Sequence, residues 1–224
     1  MSVRFGVVAL VLSVAAATGC ADSECGDECW PDTAAAVSSP IIGGTYETGF
    51  PAVGAVLLDG GLCTGTLVSP RVVVTAAHCL VGSTPRSFVI GSSMYSGTRL
   101  AVQTYKAHPD YEPESLEYGA KLGWAYIAWH DIGVIILSKP STVTPMPMTM
   151  SSVATMVGKT VTFVGFGNRE PYDGYAVGQK YKVSTPMYDV WKQGFWNVTS
   201  SSDPKMTCGG DSGGPAFVDR KSVV

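Results

Sequence analysis

Charge is scarce in this chain. Asp, Glu, Lys and Arg make up 15% of its 224 residues, and the formal net charge is −3. So small a balance excludes the strong field that draws nucleic acid or an anionic membrane surface. No long amphipathic helical pattern is present, which argues against a helix bundle. No internal repeat is visible, which sets aside solenoids and propellers. Histidine is limited to His78, His108 and His130, so any imidazole chemistry has few candidates. What the chain does have is Gly (26) and Pro (14), a supply of turn formers that favours β structure. A hydrophobic fraction of 46% at this length suits one or two domains with a substantial core.

The N-terminus reads as a targeting segment. Arg4 precedes the uncharged apolar run Phe5 to Ala17, which is too short to span a bilayer comfortably and ends in small residues. Residues 1–19 are the expected signal peptide. Ala17-Thr18-Gly19-Cys20 resembles a bacterial lipobox, with Ala17 where Leu is usual. Cys20 is then the lipidated first residue of a cell-envelope lipoprotein, the alternative being an ordinary extracellular protein. Either route leads to a compartment where disulfides persist. Residues 20–40, rich in Asp, Glu, Ser, Pro and Ala, read as a tether or pro-segment. Cys25 and Cys29 suit a small closed loop within it better than zinc, since no His lies near them. A lipidated Cys20 leaves Cys25, Cys29, Cys63, Cys79 and Cys208, an odd set in which one thiol lacks an intrachain partner.

From Ile41 the pattern becomes one of short strands. Val53–Leu58 ends at Asp59-Gly60-Gly61, a hairpin signal. Leu62–Val68, Val72–Val74, Ser87–Ile90, Arg99–Tyr105, Ile132–Leu137, Thr160–Val164 and Lys180–Pro186 continue the series. An all-β barrel or sandwich is expected. Met146, Met148, Met150 and Met156 are read as packing residues.

The strongest chemical signal is Cys208-Gly209-Gly210-Asp211-Ser212-Gly213-Gly214-Pro215. Glycines around a serine let backbone approach a substrate closely. The N–H groups of Gly210 and Ser212 could then face one developing oxyanion. A serine needs a base. His78 follows a strand beside Cys79, His108 stands in a turn-like His-Pro-Asp-Tyr, and His130 precedes Asp131; chemistry alone leaves His130 open beside His78. The third role is a carboxylate that orients the imidazole. Asp131 opens an apolar strand and should be partly buried, whereas Asp110, Asp173 and Asp189 lie in turn-like or polar settings.

Four motifs stand in one order. They are Ile41-Ile42-Gly43-Gly44, Thr75-Ala76-Ala77-His78-Cys79, Asp131-Ile132-Gly133-Val134 and Gly210-Asp211-Ser212-Gly213-Gly214-Pro215. In that order they resemble the trypsin/chymotrypsin family of serine proteases over Ile41 to Val218. The resemblance implies two antiparallel six-stranded barrels, the first over about 41–140 and the second over about 145–224. It implies His78 as base, Asp131 as orienting acid and Ser212 as nucleophile, acting on protein or peptide substrates without a cofactor or metal. It also implies a Cys63–Cys79 disulfide and a charge pair between Asp211 and the amine freed at Ile41. Gly165-Phe166-Gly167 is similar to the family's Gly-Trp-Gly turn.

Several features depart from the family pattern. Pro40 stands where a basic residue is usually cleaved, so a trypsin-like activator would not cut there. Met206, six residues before the nucleophile at the base of the specificity pocket, would not compensate a buried Lys or Arg; a preference for apolar or medium-sized side chains follows. Leu80 to Leu100 holds no Asp or Glu, so a calcium loop of the family type is not expected. The chain ends at Val224, where the family continues with further strands and a C-terminal helix. The expectation is a second barrel incomplete at its C-terminus, Cys208 without its partner, and reduced stability or activity. An incomplete or prematurely terminated sequence is the simplest explanation, and a catalytically silent binding protein is the rival to an enzyme. Asn197-Val198-Thr199 fits a glycosylation acceptor, which a bacterial lipobox argues against.

Overall fold

A computed structural model describes residues 40–112, 130–149, 153–168, 177–187, 189–191, 194–196, 207, 209–218 and 222–223. The expectations for residues 1–39, Cys20, Cys25 and Cys29 included, lie outside the described residues. So do those for Asp173, Asn197, Met206 and Cys208.

Among the described residues, helix is limited to a one-turn α1 (Pro40–Gly43) and a 3-10 turn at Val153–Met156. After α1 comes a short strand, β1 (Thr45–Tyr46). Six strands then close a barrel: β2 (Val53–Leu58), β3 (Gly61–Ser69), β4 (Val72–Thr75), β5 (Pro85–Ile90), β6 (Thr98–Ala107) and β7 (Gly133–Leu137). Around the barrel they run β2-β3-β4-β7-β6-β5, every pair antiparallel. The β2–β3 turn forms at Asp59-Gly60, where Gly60 takes φ +86°. Arg86 of β5 grips the Asp59 carboxylate with two N–H donors, Nη2 to Oδ2 at 2.6 Å.

The second half is an open five-stranded sheet. It contains β1, β8 (Thr160–Gly165), β9 (Tyr181–Pro186), β12 (Ala216–Val218) and β13 (Ser222–Val223), ordered β1-β9-β8-β12-β13. A separate hairpin joins β10 (Asp189–Trp191) to β11 (Gly194–Trp196). Asp189 therefore opens a strand and is not in a turn. Strand β7 begins at Gly133, one residue later than expected. Ile132 is held apart because its N–H donates to the His130 carbonyl and its carbonyl accepts from His108 N–H.

Alternation along β2 and β5 explains how the halves join. Val56, Phe88 and Ile90 point into the barrel core with Leu67, Val73, Ile135 and Leu137. Their neighbours Val53, Ala55 and Val89 point the other way, onto Val164, Phe166 and Phe217 of the second half. The period of two thus buries both faces of these strands. Phe217 is fully buried and stacks on Phe50, with ring centroids 4.7 Å apart. Each such aromatic adds about 1.5–3 kcal/mol by burial.

A cation is also buried at this seam. Lys180, 1% exposed, lies 5.6 Å from the centroid of the Phe166 ring. Its Nζ donates to the carbonyls of Phe50 (3.0 Å) and Gly49 (3.2 Å). Glu47, itself buried, pairs with Lys182. Desolvation lowers the Lys180 pKa from 10.5 to about 8, against the opposing pull of Glu47. Between these values the folded chain binds fewer protons than the unfolded chain, so this group makes stability rise with pH across that window. Urea unfolding followed from pH 8 to 10.5 is expected to show a rise that Lys180→Met flattens.

Candidate active site

Strand β4 pairs with β7, with Thr75 opposite Gly133. The chain leaving β4 and the chain entering β7 therefore meet at one end of the barrel. This brings His78 to Asp131. The Asp131 carboxylate accepts from the His78 backbone N–H through Oδ1 (2.9 Å) and lies against His78 Nδ1 through Oδ2 (2.7 Å). Burial alone would raise the Asp131 pKa. The hydrogen bonds from the His78 side chain and backbone, with the His78 charge, outweigh burial and hold it below the usual carboxylate value. An ionised carboxylate only accepts, so Nδ1 carries the proton and Nε2 is left as the basic nitrogen.

The turn carrying His78 is tied to β3 by a disulfide between Cys63 and Cys79, Cα atoms 6.4 Å apart. Cys63, His78 and Cys79 lie close together, but both sulfurs are spent in the disulfide and offer no thiolate to a metal. His108 and His130 stack on each other, centroids 5.0 Å apart. His130 Nδ1 faces the Asp110 carbonyl, and the Asp110 N–H donates to His108 Nδ1. The cleft that holds His78 is lined by neither His108 nor His130.

Ser212 comes from the other half, in the turn that precedes β12. A cleft of about 380 Å³ is lined by His78, Asp131, Ile132, Ser212, Gly213 and Pro215, among others. The three predicted residues are thus drawn from both halves onto one surface. The turn is held by its carbonyls. Gly209 accepts from Asn168 N–H (2.8 Å), Asp211 from Gly214 N–H (2.9 Å) and Ser212 from Thr64 N–H (2.8 Å). Gly210 accepts from the Thr64 hydroxyl (2.9 Å). Every peptide here is trans, so each N–H points opposite to the carbonyl of the same peptide. The Gly210 and Ser212 N–H groups are thereby aimed away from the bonds to Asn168 and Gly214. Thr64 carries no distinguishing sequence signal, being one of three hydroxyl residues in β3 with Thr66 and Ser69.

Ile41 is buried within α1 at φ +41°, an unfavourable conformation for a β-branched residue. Asp211 is buried, and its Oδ1 accepts from Gly167 N–H at 2.8 Å.

The fold matches solved structures of chymotrypsin-type proteins. A Glu endopeptidase crystallised with MPD aligns at TM-score 0.62 and 17% identity, covering 84% of this chain and 85% of that one. A scabies mite inactivated protease paralogue aligns at TM-score 0.64 and 19% identity, covering 82% and 83%. At such identities the likeness concerns the fold. In sequence, a trypsin from Saccharopolyspora erythraea is 30% identical over 177 residues, 72% of each chain. The trypsin family profile matches residues 41–224. The chain belongs to the trypsin family of serine endopeptidases.

Gly213 makes the docking of Ser212 possible. It sits at φ +76°, and a Cβ there would lie 2.2 Å from Thr75 Oγ1, 2.5 Å from Ala76 N and 2.6 Å from the Thr64 carbonyl. Gly213→Ala is expected to destabilise the fold by at least about 2 kcal/mol, seen as a lower urea midpoint.

Proposed function

We propose that this chain is an exported endopeptidase that cleaves peptide bonds through an acyl-enzyme on Ser212. The observation that supports this reading most is the His78 Nδ1–Asp131 Oδ2 contact of 2.7 Å in the cleft that Ser212 also lines. His78 takes the Ser212 hydroxyl proton on Nε2 as Oγ attacks the substrate carbonyl. It then gives that proton to the departing amine, and the acyl group stays on Ser212. Water attacks the ester with His78 again acting as base, which releases the acid and restores Ser212. Asp131 keeps the imidazole in the required tautomer and stabilises it when charged. The Gly210 and Ser212 N–H groups receive the oxyanion.

Cleavage before Ile41 would free an amine to pair with Asp211 and would relax the strained Ile41 backbone. Pro40 in place of a basic residue assigns that cut to a protease without tryptic preference. Met206, six residues before Ser212 where the family has the base of its specificity pocket, favours apolar or medium-sized substrate side chains. Export rests on the N-terminal segment, with Cys20 as the lipid-bearing residue.

A fluorophosphonate probe is expected to label the chain and to fail on Ser212→Ala; folded wild-type protein that stays unlabelled would contradict the reading. Asp131→Asn is expected to lower kcat by about 10⁴-fold, through the wrong imidazole tautomer. Peptide substrates with Phe or Leu before the cleaved bond should turn over faster than those with Arg, and the reverse order would rule out the Met206 assignment.

A further inference from the structure

Thr64 stands where the two halves meet and makes four hydrogen bonds there. It is wholly buried. Its hydroxyl donates to the Gly210 carbonyl at 2.9 Å and accepts from Phe166 N–H at 3.1 Å. Its own N–H donates to the Ser212 carbonyl at 2.8 Å, and its carbonyl accepts from the Thr75 hydroxyl at 2.8 Å. The side chain therefore holds the peptide before Asp211, and the backbone holds the peptide after Ser212. Of the two N–H groups assigned to the oxyanion, that of Ser212 lies between those anchors, and that of Gly210 lies on the peptide immediately before the first.

We infer that the Thr64 hydroxyl is a positioning group for the transition state, locking the turn at Gly210 so that the Gly210 and Ser212 N–H groups converge on the oxyanion. This rests on the endopeptidase reading above. The physical argument concerns which peptides are free to turn. Gly210 has φ +95° and no side chain, so its own backbone resists rotation little. The Gly209 carbonyl accepts a single backbone hydrogen bond among the described residues, from Asn168 N–H. Without the Thr64 hydroxyl, the half-buried Gly210 carbonyl and the buried Phe166 N–H both lose a partner. Rotation of the Gly210–Asp211 peptide toward another donor would then carry the neighbouring Gly210 N–H away from its aim. A hydroxyl supplied by the first half gives this turn an anchor outside its own segment.

The test separates the hydroxyl from the backbone N–H. Thr64→Val keeps shape and main chain but removes the hydroxyl, and Thr64→Ser restores it. With a chromogenic peptide substrate, Thr64→Val in the full chain is expected to lose about 10- to 100-fold in kcat with little change in KM. Affinity for a peptide boronate, which forms a tetrahedral adduct, should fall in parallel. Thr64→Ser should recover most of both. If Thr64→Val does not fold, Thr64→Ala against Thr64→Ser makes the same comparison, since these two differ only in the hydroxyl. A folded Thr64→Val or Thr64→Ala with the kcat of Thr64→Ser would overturn the inference, as would a rise in KM at unchanged kcat. Wild-type chain that neither reacts with fluorophosphonate nor turns over substrate would instead remove the endopeptidase reading, and this inference with it.

Discussion

The turn at 209–214 has to be held against a barrel to which it does not belong, and the functional site depends on that attachment. His78 and Asp131 sit at one end of the first barrel, fixed by the pairing of β4 with β7. Ser212 arrives from the second half. Only a rigid join gives the three a constant relation. The join has two layers: an apolar one, with Phe50, Val53, Ala55 and Val89 packed on Val164, Phe166 and Phe217, and a polar one, in which Thr64 binds the turn through both main chain and side chain. Apolar packing brings the halves together without direction. The hydrogen bonds supply the direction.

Two ionisable centres, the half-buried Asp131 and the buried Lys180, flank this join. Asp131 stays charged because His78 gives it two hydrogen bonds, and the site uses that charge to set an imidazole tautomer. Lys180 is stacked beside Phe166 and capped by two carbonyls from the segment that follows β1. It ties the chain that follows β1 to the second sheet. In each case a charge that would be costly alone is satisfied by named donors or acceptors.

The sequence carried the site's chemistry better than its mechanics. His78, Asp131 and Ser212 were legible because glycine-rich, His-Cys and Asp-apolar motifs constrain residue type at fixed spacing. The long barrel strands were legible because alternation over five or more residues outweighs local noise. Strands β1, β12 and β13 are two or three residues long and exist only through pairing with β9, β8 and β12 respectively, so no local pattern could announce them. The same holds for Thr64, whose role comes from residues far along the chain. Lys180 was read simply as the start of a strand; its burial depends on Phe50 and Phe166, which a one-dimensional pattern does not bring together. His130 shows the converse, a residue next to Asp131 in sequence whose ring turns instead to His108.

The most direct measurement is a crystal structure of the chain after reaction with a peptidyl phosphonate. The expected result is phosphorus bonded to Ser212 Oγ, with one phosphonyl oxygen accepting from both Gly210 N–H and Ser212 N–H and with His78 still paired to Asp131. An adduct on any other residue, or a phosphonyl oxygen that turns away from those two N–H groups, would contradict it.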